Sequence, residues 1–227
     1  MGFFNRFVWI FVSPSKVFAD IKEGKASWWQ AWVWLSVIYL IVGYFSKPVQ
    51  LAVMELNPSD LPLDQLDKQL EIMEGWGYWV QLAATPVILL VVALIVVGLS
   101  YILVSILADR ASFKQYFSLN MYAGIVASLA TVVTTLMIRM KGMDAIQTVA
   151  DAKFSIGLAF LAPEEGALAR ALFSSVDVFS IWSYVLVVMG VMYVFDMARR
   201  QAIYCIIPLW LLQVLALFIG EVTGGMG

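Results

Sequence analysis

Residues Ala84–Ala108 read ATPVILLVVALIVVGLSYILVSILA and contain no charged side chain. A helix rises about 1.5 Å per residue, so roughly 20 apolar residues cross the ~30 Å hydrocarbon layer of a bilayer. This run is long enough, and no water-soluble core of ordinary size would need it. Just upstream, Trp76, Tyr78 and Trp79 stand where aromatic side chains collect at a membrane–water boundary. Four further stretches carry the same signal. Trp28–Ser46 lies between Lys25 and Lys47, and Tyr116–Ile138, Val178–Phe195 and Ala202–Ile219 follow. The spacing therefore predicts an all-α membrane protein with five transmembrane helices at about 28–46, 84–108, 116–138, 178–195 and 202–219.

Composition agrees. Of 227 residues, 62% are hydrophobic and 13% charged, roughly half the usual charged share. The mean hydropathy of +0.88 leaves too little polar surface to wrap a soluble core, so much of the surface must face lipid. There is no histidine, which removes the commonest general base, zinc ligand and pH switch together. The net charge is −2 and no basic block exists, so nucleic acid is not an expected partner. The single cysteine, Cys205, sits in an apolar run and is read as a small buried hydrophobe. No cofactor and no metal site are predicted.

Orientation follows from where short loops place Lys and Arg. With the N-terminus cytoplasmic, the inner segments hold Arg6, Lys16, Lys22, Lys25, Arg110, Lys114, Arg199 and Arg200, eight of the 14 basic residues. The outer loops, 47–78 and 139–177, hold the other six among Glu55, Asp60, Asp64, Asp67, Glu71, Glu74, Asp144, Asp151, Glu164 and Glu165. The expected arrangement is N-terminus in and C-terminus out, in the cytoplasmic (inner) membrane.

Residues 1–26 read as a cytoplasmic interfacial segment ahead of a five-helix domain over 27–227. Phe3–Val12 is too short to cross the bilayer and carries Asn5 and Arg6. Ser13-Pro14 marks a helix start and Gly24 a stop, predicting an amphipathic helix over about 14–23. Its Val17, Phe18 and Ile21 share one face, expected along the inner leaflet with Lys16 and Lys22 meeting anionic headgroups. In the first outer loop, Leu63, Leu66, Leu70 and Met73 recur at helical spacing among acids, an amphipathic helix that must pack on something. Phe154–Ala162 is either interfacial or re-entrant.

Three stretches resemble a known family. Val12-Ser13-Pro14-Ser15-Lys16-Val17-Phe18-Ala19-Asp20-Ile21 followed by Trp28-Trp29 is similar to the start of bacterial YIP-family proteins, the Ypt/Rab-interacting-protein domain family. Asp177-Val178-Phe179-Ser180-Ile181-Trp182, then Arg199-Arg200-Gln201-Ala202 and the run through Trp210, resembles that family's last pair of helices. Asp109-Arg110-Ala111-Ser112-Phe113-Lys114-Gln115 resembles its central loop, here without glycine. The resemblance implies a five-span domain with a cytosolic N-terminus. Eukaryotic members bind Rab-type GTPases through an Asp-Leu-Tyr-Gly-Pro motif that this chain lacks, so that role is not carried over. Some bacterial members are thought to assist assembly of ABC-type efflux complexes.

The candidate contact residues lie at helix ends. Asp177 either caps the fourth span or makes a polar contact to Arg170 or a partner. Phe179 and Trp182, three apart, pack on neighbouring spans or anchor the interface. Arg199 and Arg200, like Asp109, Arg110 and Lys114, either anchor loops at the membrane or bind anionic lipid or an acidic partner segment. Midspan polarity is limited to amides and hydroxyls, including Asn120, Ser128, Thr131 and Gln213, which usually make interhelical hydrogen bonds. Gly124 and Ser128 are expected to allow close helix approach, and Pro86 and Pro208 to kink their helices. The leading reading is a non-enzymatic scaffold or assembly partner of another integral membrane protein, with an ABC-type efflux system as the family hint. Homo-oligomers are compatible with it. The alternative is a transporter or lipid-handling protein whose path an oligomer encloses; an intramembrane enzyme ranks third.

Overall fold

The computed structural model describes residues 2–56, 63–108, 110–148, 154, 156–163 and 166–224. Among the described residues there are no strands. The α-helices are α1 (Phe3–Val12), α2 (Pro14–Lys22), α3 (Trp28–Leu56), α4 (Leu63–Glu74), α5 (Trp76–Leu107), α6 (Phe113–Lys141), α7 (Ala167–Ser174), α8 (Val178–Phe195), α9 (Arg199–Tyr204) and α10 (Ile206–Gly224). Five segments are long and apolar enough to cross a membrane: α3, α5, α6, α8 and the pair α9–α10 over Arg199–Val222.

Three of these helices outrun the spans read from hydropathy. α3, α5 and α6 contain 29, 32 and 29 residues. Helix propagation needs backbone hydrogen bonds, not apolar side chains, so a helix can continue past the hydrocarbon limit. Lys47 shows how the extension of α3 is held. Its ammonium donates to the Glu74 carbonyl at 3.2 Å and lies 5.0 Å from the ring centres of both Tyr78 and Trp79. Beyond the apolar spans the ends of α3 and α5 carry α4 between them, and the end of α6 stays packed on α3 through Ile138 and Val49.

α6 is the centre of the bundle. It packs most extensively on α3 and α8, and Tyr116, Phe117, Leu119, Tyr122, Ile125 and Val126 are almost fully buried. The tightest approach is set by Gly190 of α8. A Cβ there would fall 2.1 Å from Leu119 Cδ1. Gly124, the expected point of close approach, would meet Leu35 at an ordinary 3.6 Å.

The prolines act differently. α5 runs through Pro86 without a break. Pro208 lacks the N–H that would bond the Tyr204 carbonyl, and the last span is divided at Cys205 into α9 and α10.

The helices of the N-terminal segment end close to where the sequence placed them, with Pro14 in the first turn of α2 and Gly24 at φ +74° just past its end. Val17, Phe18 and Ile21 share one face, but the face meets protein: all three are at most 1% exposed, against α6 and α8. Lys22 binds Asp196 at 2.8 Å and the Tyr193 carbonyl at 3.0 Å, and Lys16 lies 3.5 Å above the Trp9 ring.

In the segment between α6 and α7, residues Leu158–Leu161 form a single 3-10 turn. It docks on the start of α8 through Leu158 N–H to the Val176 carbonyl at 3.0 Å. Gly157 makes this approach with φ +107°, where a Cβ would lie 2.3 Å from that same carbonyl. The apolar ring of Phe160 points away, 74% exposed.

Candidate functional site

Where α8 begins, Asp177 adopts the extended backbone of a cap and its carboxylate accepts from Phe179 N at 2.8 Å and Ser180 N at 3.0 Å. A carboxylate in this position satisfies two otherwise unpaired N–H groups and opposes the positive helix end. The geometry gives Asp177 the capping role; Arg170 is paired with Glu221 at 2.7 Å.

The cap is the first link of a hydrogen-bonded ladder running into the bundle. Ser180 Oγ donates to Asp177 Oδ2, Gln213 Nε2 of α10 donates to Ser180 Oγ at 3.4 Å, and Tyr184 O–H donates to Gln213 Oε1. Next to it Trp210 Nε1 donates to Ser175 Oγ at 3.1 Å. Ser180, Tyr184 and Gln213 then line a cavity of about 550 Å³ between α3, α5, α6, α8 and α10. No lining residue is Asp, Glu, Lys or Arg.

The other end of the bundle is basic. Lys22 and Asp196 join α2 to the hairpin between α8 and α9, and Gln115 Nε2 donates to the Lys22 carbonyl at 3.0 Å. This brings the start of α6 and the α8–α9 hairpin together at one end. Arg200 Nε donates to Tyr204 O–H at 3.1 Å, and Arg199 lines an apolar crevice between α8 and α9–α10. Arg110 is exposed in the turn before α6, and Lys114 is exposed in its first turn. Asp109 lies outside the described residues. Phe179 is half-buried, and Trp182 packs edge-on against Phe11 at 6.3 Å between ring centres. So the sequence candidates divide between the two ends of the bundle: Asp177, Phe179 and Trp182 on α8's start, the cations at the opposite end.

One polar cluster escaped the sequence reading. Arg6 Nε donates to Asp20 Oδ2 at 2.8 Å, and Arg6 Nη1 donates to Gln30 Oε1 at 2.9 Å. The Tyr122 O–H donates to the same Gln30 oxygen at 3.0 Å. Arg6 and Asp20 are only 5% and 8% exposed. Burial pushes the Asp20 carboxyl up, but the hydrogen bond and charge of Arg6 act against it, and the group is held below the usual carboxylate range. Arg6, one of the cations of the orientation count, is buried and joins α1 to α2 and α3, with Tyr122 of α6 on the same Gln30 oxygen. A single arginine in an otherwise charge-free apolar segment was the available signal, since such a charge must find a partner or reach water.

Among the described residues no three of His, Cys, Asp and Glu gather as a metal site would require. Five long apolar helices are the number implied by the resemblance at Pro14, Asp109 and Asp177. The Yip1 domain matches residues 9–220. The chain belongs to the Yip1 domain family. The membrane protein YknW of Bacillus subtilis (strain 168) is 28% identical to this Yip1 chain over 225 residues, which are 96% of it and 91% of YknW. No solved structure matches. As a Yip1 family member the chain is a multi-pass membrane protein whose helices contact the lipid bilayer.

Proposed function

We propose that this Yip1 protein is a non-enzymatic scaffold that binds another integral membrane protein and assists its assembly or regulation. The observation that carries this reading is the projection of α3, α4 and α5 beyond the apolar spans. Along α4 and the start of α5, exposed Ile72 and Trp76, at 55% and 82%, are interleaved with exposed Asp67, Glu71 and Glu74. Aromatic and aliphatic anchors within a charged rim are the usual composition of a protein-binding surface. The bundle interior, by contrast, holds hydroxyls and amides that mostly bond to backbone carbonyls or to one another.

The basic end of the bundle supports a cytoplasmic N-terminus by the positive-inside rule, which puts the projection on the outer side of the cytoplasmic membrane. The resemblance to bacterial YIP proteins makes an ABC-type efflux complex the first partner to examine. The test is photo-crosslinking in native membranes from an unnatural photoreactive residue at position 72 or 76. A discrete adduct with one other membrane protein, lost on Asp67→Lys/Glu71→Lys, is expected. Adducts with lipid alone at both positions would overturn the scaffold reading.

A further inference from the structure

The interior cavity is graded in polarity along its length. At the end where α8 and α5 begin, its wall carries Thr85, Ser180, Ser183, Tyr184 and Gln213; toward the opposite end it is mainly apolar, with Val96, Val97, Met121, Val187 and Leu209 around Asn120, whose amide donates to the Tyr116 carbonyl at 2.9 Å. Protein interiors are close-packed and seldom leave a void much larger than a water molecule. A space of about 550 Å³ is far beyond that, and its mainly apolar floor, where Asn120 is the one amide, gives water few hydrogen-bond partners.

Two measurements identify what fits. Along α5 the wall runs from Thr85 to Val97, about 18 Å at ~1.5 Å per residue, close to the roughly 15 Å depth of one bilayer leaflet. Ile88 and Val92 line the cavity and are also 54% and 52% exposed, so it opens sideways between helices onto the lipid-facing surface. The lining has no ionised side chain, which suits a neutral ester or hydroxyl at the mouth.

We infer that this cavity seats one acyl chain of a bilayer lipid from the leaflet nearest the start of α8, with the chain's ester region at Ser183, Tyr184 and Gln213 and its methyl end against Val97, Met121 and Val187. The chain enters past Ile88 and Val92 without crossing a polar barrier. The site does not depend on the partner-binding surface, which lies on α4 and the start of α5.

The full chain is returned to vesicles of phosphatidylcholine carrying a diazirine at the end of one acyl chain, irradiated, and mapped by mass spectrometry. Adducts on Val97, Met121 and Val187 are expected, and a second lipid with the diazirine beside the ester should label Ser183 and Tyr184 instead. Ala93→Phe and Ala127→Phe, which fill the cavity, should lower floor labelling about tenfold, ~1.4 kcal/mol of occupancy, while labelling at lipid-facing Ile102 persists. Labelling confined to Ile102 and Ile106 with both lipids would overturn the assignment, as would floor labelling that the two variants leave unchanged. Should either variant fail to fold, the contrast between the two lipids still decides.

Discussion

The Arg6 guanidinium and the Asp20 carboxylate, fourteen residues apart in the chain, meet at 2.8 Å with side chains only 7% and 12% exposed. The pair is what closes α2 back over α1, and Gln30 ties Arg6 to the first turn of α3. Removing one member of a buried pair costs the other its closest opposite charge, about 3 kcal/mol where nothing replaces it. Arg6→Met and Asp20→Leu should each lower the unfolding midpoint in detergent sharply. The double variant, in which two apolar groups replace the pair, should recover most of the loss. Additive losses in that cycle would show that the pair is not coupled.

The same contact sets a pH dependence. Asp20 titrates below its ordinary range in the folded protein, so its stabilising contribution is complete above the unfolded carboxyl pKa near ~4. It is lost as pH falls from there through the lower folded value. Unfolding midpoints measured from pH 7 to pH 3 should fall less steeply below about pH 4 for Asp20→Asn than for the parent. Parallel curves would assign the acid sensitivity to other carboxylates.

Gly190 and Leu119 define the closest helix contact. Gly190→Ala places a methyl carbon against Leu119 Cδ1, so the fully buried Leu119 side chain or one of the two helices must shift. The expected loss is about 1–3 kcal/mol, and Leu119→Ala in the same chain should return part of it. Gly124→Ala, with 3.6 Å to the nearest atom, serves as the tolerated control.

Much of the fold was legible because lipid imposes strict rules. Charge-free runs of sufficient length can only be spans, and all five were found with α8 placed at Val178–Phe195. Asp177 was legible as a cap because a carboxylate just before an apolar run has one obvious use. The lengths of α3 and α5 were not, since a helix leaving the membrane no longer needs apolar residues to mark its course. Arg6 and Asp20 were not, because each looks like an ordinary loop charge until α2 folds back against α1. Nor was Gly190, whose importance lies in what faces it across the helix pair. The ladder was half legible: Gln213 stood out as a midspan amide, but its partners Ser180 and Tyr184 lie about 30 residues away on another helix.

That ladder supplies a test of how α8 and α10 are held beside the cavity. Gln213 joins Tyr184 and Ser180, and Ser180 passes the link to Asp177. Hydrogen bonds between helices in a membrane are worth about 1 kcal/mol each, so Gln213→Leu should cost about twice what Tyr184→Phe costs. The two substitutions remove one shared bond. Their combined effect should therefore be less than additive by about 1 kcal/mol in a double-mutant cycle. Asp177→Asn keeps the acceptors that cap α8 and should lose little, whereas Asp177→Ala should lose about 1 kcal/mol with the cap alone. Strict additivity between positions 184 and 213 would mean that the two side chains stand side by side without exchanging a bond, and the link between α8 and α10 would then rest on apolar packing.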